Sequence, residues 1–287
     1  EYLIMEHKMF CFQCEQTVGC TGCTGNAGVC GKKADTAKLQ DELTGALISL
    51  ANAVDGTETI SKRTGQIIIE GLFTTVTNVS FDNAAIENMI QKVRAEKERL
   101  VPDCRTEEYD LQQLWNANED IRSLKSLILF GIRGMAAYAY HANVLNYEDA
   151  EVNQFFCEAL SKIGYEESTE ALLSTVLKTG EINLKCMALL DKANTETYGT
   201  PEPTDVTLTV EKGPFIVVTG HDLKDLQLLL EQTEGKGINI YTHGEMLPAH
   251  AYPFLKKYSH LKGNFGTAWQ NQQKEFDHLP APILYTT

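Results

Sequence analysis

The sequence predicts a multi-domain protein of the α plus α/β class, with a helical bundle followed by a parallel sheet. Helical periodicity runs from about Asp35 to Ala193. A break rich in Pro and Gly follows at residues 198–203. Beyond it, short apolar runs alternate with helical segments, which is typical of a parallel sheet. We therefore expect a helical domain up to residue 205 and the first part of an α/β domain over residues 206–287.

The helical domain is predicted from apolar residues that recur at three- and four-residue steps. The stripes cover residues 39–54, 86–93, 124–138, 152–160 and 172–177. Asp82 stands where it would cap the second helix. Gly131 and Gly134 mark places in the third stripe where a neighbouring helix is expected to pack closely.

The α/β domain is predicted from three apolar runs suited to buried strands, with helices between them. In chain order these are strand 215–218, helix 223–231, strand 238–241, helix 268–276 and strand 283–285. Short connections between such elements indicate a Rossmann-like sheet, of which this chain holds an incomplete portion.

Ligands of a parallel sheet collect in the loops at the carboxyl ends of its strands. Two of these loops place His221 and Glu245 at that edge, directly after adjacent strands. Taken singly, each is more often a structural residue, but their equivalent positions predict a shared site. His243 and His250 are alternative candidates for the same role.

Composition narrows the classes of partner. A formal net charge of -14 over 287 residues argues against nucleic acid or anionic membrane. There is no apolar run long enough for a bilayer and no secretory signal at the start, so the sequence predicts a cytoplasmic protein without membrane contact. The chain begins on Glu1 and stops in a strand-like segment, and we interpret it as a fragment.

Four cysteines near the N-terminus, Cys11, Cys14, Cys23 and Cys30, have a spacing that suits thiolates around an iron–sulfur cluster. Electron transfer is therefore the expected chemistry. A zinc site formed by Cys11, Cys14, Cys20 and Cys23 is the rival, but only five residues separate its two halves, against about 15–20 in the usual pattern. Cys20 also competes with Cys23 as a cluster ligand.

The remaining cysteines, Cys104, Cys157 and Cys186, are isolated in the sequence. Cys157 and Cys186 fall on predicted helices, where a lone cysteine is usually a small core residue. A chain of this length does not need disulfides, and a reducing compartment disfavours them.

Several motifs of this chain resemble those of the hybrid cluster proteins, also called prismane proteins or hydroxylamine reductases. The matching segments are residues 9–17 (MFCFQCEQT), 28–32 (GVCGK), 220–223 (GHDL), 241–250 (YTHGEMLPAH) and 268–273 (AWQNQQ). The similarity runs from Met9 to the last residue and corresponds to the N-terminal half of that family. It implies that residues 1–8 are an extension and that residues 9–205 form the helical domain.

The resemblance implies two metal centres. A [4Fe–4S] cluster, with [2Fe–2S] as the alternative, is expected on the four cysteines at positions 11, 14, 23 and 30. A hybrid [4Fe–2O–2S] cluster is expected to take His221 and Glu245 as ligands, with His243 and His250 behind them. The next family ligand belongs to a Thr-Thr-Asn-Cys motif, and this chain ends on its first two residues.

The function implied by the resemblance is reduction of hydroxylamine to ammonia and water, with nitric oxide or peroxide as further possible substrates. Electrons would come from an external donor such as a ferredoxin-like or NADH-linked reductase. A single-cluster electron-transfer fragment without catalysis is the alternative. The carbon monoxide dehydrogenases are similar in fold, but their N-terminal cysteine pattern is not matched here.

Overall fold

The computed structural model describes residues 9–14, 22–54, 56, 59–77, 79–102, 107–166 and 168–286. The expected N-terminal extension, Cys20, Cys104 and Thr287 lie outside the described residues. The chain divides into two compact units. One, the helical unit, comprises Glu1–Asn143 and Tyr147–Leu190; the other, the sheet unit, comprises Val144–Asn146 and Asp191–Thr287. The predicted α plus α/β class is confirmed at this level.

The helical unit is built from amphipathic helices around one apolar core. Its described helices are α1 (Ala34–Val54), α2 (Lys62–Thr74), α3 (Asn83–Leu100), α4 (Gln112–Trp115), α5 (Glu119–Val144), α6 (Ala150–Tyr165) and the greater part of α7 (Thr169–Tyr198). Helix α1 packs against α3 and α6, and α2 also packs against α6. Their buried aliphatic and aromatic side chains form one continuous cluster, which confirms the predicted stripes on α1, α3 and α6. The stripes on α5 and α7 are confirmed only in part, because Leu127, Tyr138, Leu173 and Leu177 are exposed.

The helix starts follow the chemistry of their capping residues. Asp82 accepts hydrogen bonds from the backbone of Ala84 and Ala85, as the sequence predicts for the start of α3. Ser61 and Asp149 cap α2 and α6 in the same way.

One of the two predicted close approaches on α5 is present. A Cβ added at Gly131 would lie 2.9 Å from Cγ2 of Thr179 on α7, so the two helices meet at a residue without a side chain. The expectation for Gly134 is wrong, because no described atom of a neighbouring helix lies within 4 Å of a Cβ added there.

The sheet unit contains a four-stranded, fully parallel sheet. Its strands are β1 (Phe215–Thr219), β2 (Asn239–His243), β3 (Leu261–Asn264) and β4 (Ile283–Tyr285), in the spatial order β3-β2-β1-β4. The connecting α-helices are α8 (Leu223–Thr233), α9 (Pro253–Lys256) and α10 (Gln272–Glu275), with 3-10 turns at Gly244–Ala251 and Trp269–Asn271. Three of the four strands coincide with the predicted apolar runs.

Two details of the sheet unit differ from the prediction. The expected continuous helix over residues 268–276 is wrong, because this polar segment forms a 3-10 turn followed by one helical turn. Strand β3 was missed because Leu-Lys-Gly-Asn has neither length nor an apolar run. It forms through its neighbours: it pairs with β2, and the Asn264 N–H donates to the Thr207 carbonyl over 2.8 Å.

None of the helices among the described residues is both long and apolar enough to cross a membrane.

Candidate functional site

The four N-terminal cysteines line one small cavity in the helical unit. The lining residues are Cys11, Gln13, Cys14, Cys23, Gly28, Val29, Cys30, Lys32 and Thr77. All four cysteines carry free thiols. We call this feature the cysteine cavity.

Backbone pairing brings two of these cysteines side by side. The Cys11 N–H donates to the Cys23 carbonyl over 3.0 Å, and the Cys23 N–H donates to the Cys11 carbonyl over 2.8 Å. Such a reciprocal pair sets the two residues directly opposite each other. Gly22 makes the approach possible, because its φ of +79° is strained for other residues and a Cβ there would lie 3.1 Å from the Cys11 carbonyl oxygen.

A tight turn presents the last cysteine. The Gly28 N–H donates to the Lys32 carbonyl over 2.8 Å, and the Gly31 N–H donates to the Gly28 carbonyl over 2.9 Å. A Cβ at Gly28 would lie 3.4 Å from Sγ of Cys30. A side chain at Gly28 would therefore occupy the space directly beside this sulfur.

Two buried cations accompany the thiols. The Lys32 side chain lines the cavity and is only 2% exposed, and its ammonium group donates to the side-chain oxygens of Gln13 and Gln40. The guanidinium of Arg133, on α5, is also buried and donates to the hydroxyls of Thr44 and Thr75. Positive charge thus lies in the interior next to the cysteines.

One carboxyl group belongs to the same network. Asp41 accepts a 2.7 Å hydrogen bond from Nε2 of Gln13. Burial raises the pKa of Asp41 to about 6, against the opposing effects of the Gln13 hydrogen bond and of the nearby Arg133 and Lys32. At neutral pH Asp41 is therefore mainly ionised.

The thiols respond to the same surroundings. Burial raises the pKa of Cys11, while a hydrogen bond from the Gln13 backbone and the charge of Lys32 act in the opposite direction. Within the described residues, no group of three or more His, Cys, Asp or Glu side chains is set as a ready-made metal site. The thiols share a cavity without converging on one point. Four soft sulfur donors beside buried cations nevertheless fit an anionic iron–sulfur group.

The second predicted site lies at the carboxyl edge of the sheet. In the parallel register, Thr219 at the end of β1 pairs with His243 at the end of β2. His221 and Glu245 each follow two residues later, and the His221 imidazole contacts the Glu245 carboxylate. Both side chains remain more than half exposed, at 58% and 55%. We call this contact the sheet-edge pair.

Gly220 fixes the direction of the loop that carries His221. Its φ is +118°, and a Cβ there would lie 1.7 Å from the Thr286 carbonyl oxygen. The Thr286 N–H in turn donates to the Thr219 carbonyl over 2.8 Å. The end of β1 is therefore packed tightly against the residue that follows β4.

His243 is engaged on both ring nitrogens. Its Nε2 lies 2.9 Å from Oε2 of Glu275 and its Nδ1 lies 3.2 Å from the Thr219 hydroxyl, and the side chain is fully buried. Hydrogen bonds from Thr267 and His243 hold the pKa of Glu275 below its ordinary value, although its partial desolvation opposes them.

His250 is the other alternative candidate named from the sequence. Its Nε2 lies 2.9 Å from the Thr242 hydroxyl, which also donates to the Asn264 side chain. Burial lowers the pKa of His250. Both His243 and His250 are thus tied to protein partners, whereas the sheet-edge pair faces outward.

Sequence reasoning missed the charged and polar residues behind both sites. At the cysteine cavity these are Gln13, Lys32, Asp41 and Arg133; at the sheet edge they are Thr219 and Glu275. One signal was available: Arg133 is a charged residue inside the apolar stripe of α5, between the buried Ile132 and Met135. An arginine at such a position needs a buried partner.

The isolated cysteines behave as predicted where they are described. Cys157 and Cys186 are free and buried in the core of the helical unit. The zinc alternative depends on Cys20, which lies outside the described residues, and it stays a rival interpretation.

Comparison with known proteins gives a family match over almost the whole chain. The model of the Prismane/CO dehydrogenase family matches residues 9–287.

Individual relatives agree with that match. A hydroxylamine reductase of Thermodesulfovibrio yellowstonii is 48% identical over 97% of this chain and 57% of its own length. Proteins of the same name from Porphyromonas gingivalis and Clostridium perfringens are each 44% identical, over 99% and 97% of this chain and 56% of their own length. The chain thus spans little more than half the length of these relatives.

Proposed function

This chain belongs to the Prismane/CO dehydrogenase family, and on that premise we propose that it contributes to an iron–sulfur oxidoreductase that reduces hydroxylamine. The observation that carries the proposal is the cysteine cavity, where four free thiols line one space beside buried positive charge. The relatives named hydroxylamine reductase supply the substrate class.

In the proposal, Cys11, Cys14, Cys23 and Cys30 hold a [4Fe–4S] cluster, with [2Fe–2S] as the alternative. Gaps of eight residues from Cys14 to Cys23 and six from Cys23 to Cys30 leave both types open. When bound, such a group accepts and releases single electrons at a potential that its surroundings tune. The protein's part is to bind the iron through thiolates and to exclude water from the sulfurs.

His221 and Glu245 are proposed as protein ligands of the hybrid cluster. Their contact shows that one imidazole nitrogen and one carboxylate oxygen can reach the same point at the sheet edge. These donors are harder than thiolate and suit an iron that keeps an open position for a small substrate. Their exposure in this chain leaves room for the further ligands that longer relatives would add.

The proposed overall reaction consumes two electrons and two protons for each hydroxylamine and gives ammonia and water. An external protein, such as a ferredoxin-like or NADH-linked reductase, would deliver electrons to the cysteine-bound centre. Nitric oxide or peroxide reduction would use the same ligands, and hydroxylamine is preferred because the relatives carry that name.

The test uses anaerobically prepared protein extended to the length of the relatives. Glu245→Gln should keep the absorbance of the cysteine-bound cluster and lose most hydroxylamine-dependent oxidation of a reduced dye. The exposed Glu234→Gln, in the same unit, is the matched control and should keep both. Unchanged turnover in Glu245→Gln would exclude its role as an iron ligand.

A rival function is an electron-transfer module that carries only the cysteine-bound cluster. Iron and sulfide analysis separates the two proposals. Iron for one cluster only, without hydroxylamine-dependent dye oxidation in the full-length protein, would favour the rival. A colourless protein that contains zinc would contradict both.

A further inference from the structure

Lys32 is a buried cation whose ammonium group donates hydrogen bonds to two neutral side chains in the described structure. Its ammonium group lies 2.7 Å from Oε1 of Gln13 and also donates to Oε1 of Gln40. Amide oxygens solvate the charge but do not neutralise it. A lysine that is 2% exposed and held in this way needs negative charge nearby to offset the cost of burial.

Arg133 on α5 is likewise a buried cation whose hydrogen bonds go to neutral side chains. Nε donates to the Thr75 hydroxyl over 3.0 Å and Nη2 donates to the Thr44 hydroxyl over 2.9 Å. Its Nη1 is buried without a hydrogen-bond partner in the part of the chain that the structure describes. Burial lowers the pKa of Arg133 to about 10, while the charges of Asp41, Cys11 and Cys14 oppose that change.

The negative charges that act on these two cations identify what balances them. Asp41 acts on both, and it is a single carboxyl group whose pKa is raised to about 6 by burial. The other groups that would place negative charge near Arg133 are Cys11 and Cys14, once they are thiolates. Next to the cysteine cavity, two buried cations, Lys32 and Arg133, therefore lie near one carboxylate, that of Asp41. An occupant with net negative charge would complete the balance.

We propose that Lys32 and Arg133 are the fixed countercharge of the cysteine-bound cluster and hold its reduction potential above the value it would otherwise have. This inference rests on the proposed iron–sulfur function. One-electron reduction by the external donor adds a negative charge to the cluster and its four thiolates. Cations at fixed short range stabilise that added charge and favour the reduced form.

A purely structural role for the two cations makes a different prediction. If they only joined α1, α5 and the N-terminal segment through hydrogen bonds, their removal would change stability and leave the potential unaltered. The midpoint potential is therefore the readout that separates the two roles.

The experiment compares Lys32→Met with the adjacent Lys33→Met in the anaerobically prepared chain. Lys33 is exposed, so its variant removes the same charge and side chain one residue away from the interior. The potential of the cysteine-bound cluster is measured by redox titration followed by electron paramagnetic resonance. We expect Lys32→Met and Arg133→Met to shift the midpoint to more negative values, with Lys33→Met close to the wild type.

Two results would overturn the inference. The first is a midpoint in Lys32→Met and Arg133→Met equal to that of the wild type. The second applies if Lys32→Met loses its iron: retention by Lys32→Arg and loss by Lys32→Gln would support a charge role, whereas loss by both would exclude it. Absence of any iron–sulfur signal in the wild type would instead contradict the proposed function itself.

Discussion

The cysteine cavity and the sheet-edge pair differ both in the chemistry of their donor atoms and in their burial. In the cavity, soft donors lie beside a buried lysine and a buried arginine. At the sheet edge, a nitrogen and an oxygen donor are more than half exposed and are held by the ends of two parallel strands. A buried site with fixed charges suits electron storage, because its surroundings need little rearrangement when charge is added. An open site with harder ligands suits the binding of a small molecule.

The largest expected effect is the loss of iron from the cysteine cavity. Cys23→Ser should remove essentially all iron bound in the cavity, because serine is a poor replacement for a thiolate ligand. Iron content and visible absorbance measure the loss. Cys186→Ala, which removes a buried thiol from the same unit, is the control and should keep the iron. Full iron in Cys23→Ser together with loss in Cys20→Ser would assign the ligand role to Cys20 instead.

The next largest effect is a loss of stability at the sheet edge. Gly220→Ala should lower the free energy of unfolding by about 4 kcal/mol, because it combines backbone strain with a clash against the Thr286 carbonyl. Gly235→Ala separates the two causes. Its φ is also positive, at +72°, but no described atom lies within 4 Å, so it should cost only about 1 kcal/mol. Equal losses in urea titrations would show that the Thr286 contact contributes nothing.

The third effect is a pH dependence of stability that follows from the burial of Asp41. Between its ordinary pKa of 3.8 and its folded value of about 6, Asp41 holds its proton in the folded chain and releases it in the unfolded chain. The free energy of unfolding should therefore fall as pH rises through this window. Asp41→Asn removes the titration, so it should match the wild type near pH 4 and exceed its stability by about 3 kcal/mol above pH 6.

The measurement is urea unfolding of the iron-free protein at several pH values. The exposed Glu158→Gln is the control, and its difference from the wild type should not grow over the same interval. A difference between Asp41→Asn and the wild type that is independent of pH would contradict the raised pKa.

The smallest effect compares one helix cap in each unit. Asp222 caps α8 directly after His221, and Asp82 caps α3 in the helical unit. Replacing either with Ala should cost about 1 kcal/mol of stability, since each loses its side-chain bonds to two backbone N–H groups. Only Asp222→Ala should also weaken hydroxylamine turnover in the full-length protein. Similar turnover losses in both variants would mean that the effect is not local to the sheet edge.

Local patterns predicted the elements that carry the sites. Apolar runs located three of the four strands, and the rule for strand ends placed His221 and Glu245 at one edge, where they are in contact. Strand β3 could not be predicted because its pairing with β2, rather than its own sequence, makes it a strand. The cysteine spacing pointed to the cavity that the four thiols share.

The partners behind the sites were beyond the reach of local patterns. The contact of His243 with Glu275 joins residues 32 positions apart, and the contact of Arg133 with Thr44 joins residues 89 positions apart. Such pairs are specified by helix and strand packing and leave no periodic trace in the sequence. The ligand roles of His221 and Glu245 and the countercharge role of Arg133 stay predictions.

The register between β1 and β2 makes the sheet edge intolerant of insertions and deletions. Thr219 and His243 are paired, and each stands two positions before its candidate ligand. Successive residues of a strand point to opposite faces of the sheet. Removing one residue within β1 or β2 would therefore turn the side chain of its last residue, Thr219 or His243, to the other face, and it would shorten the strand that leads to the candidate ligand. Point substitutions in Phe215–Thr219 would keep this count, whereas single-residue deletions would not. Deletion scanning across the two strands should therefore leave far fewer functional variants than substitution scanning of the same positions.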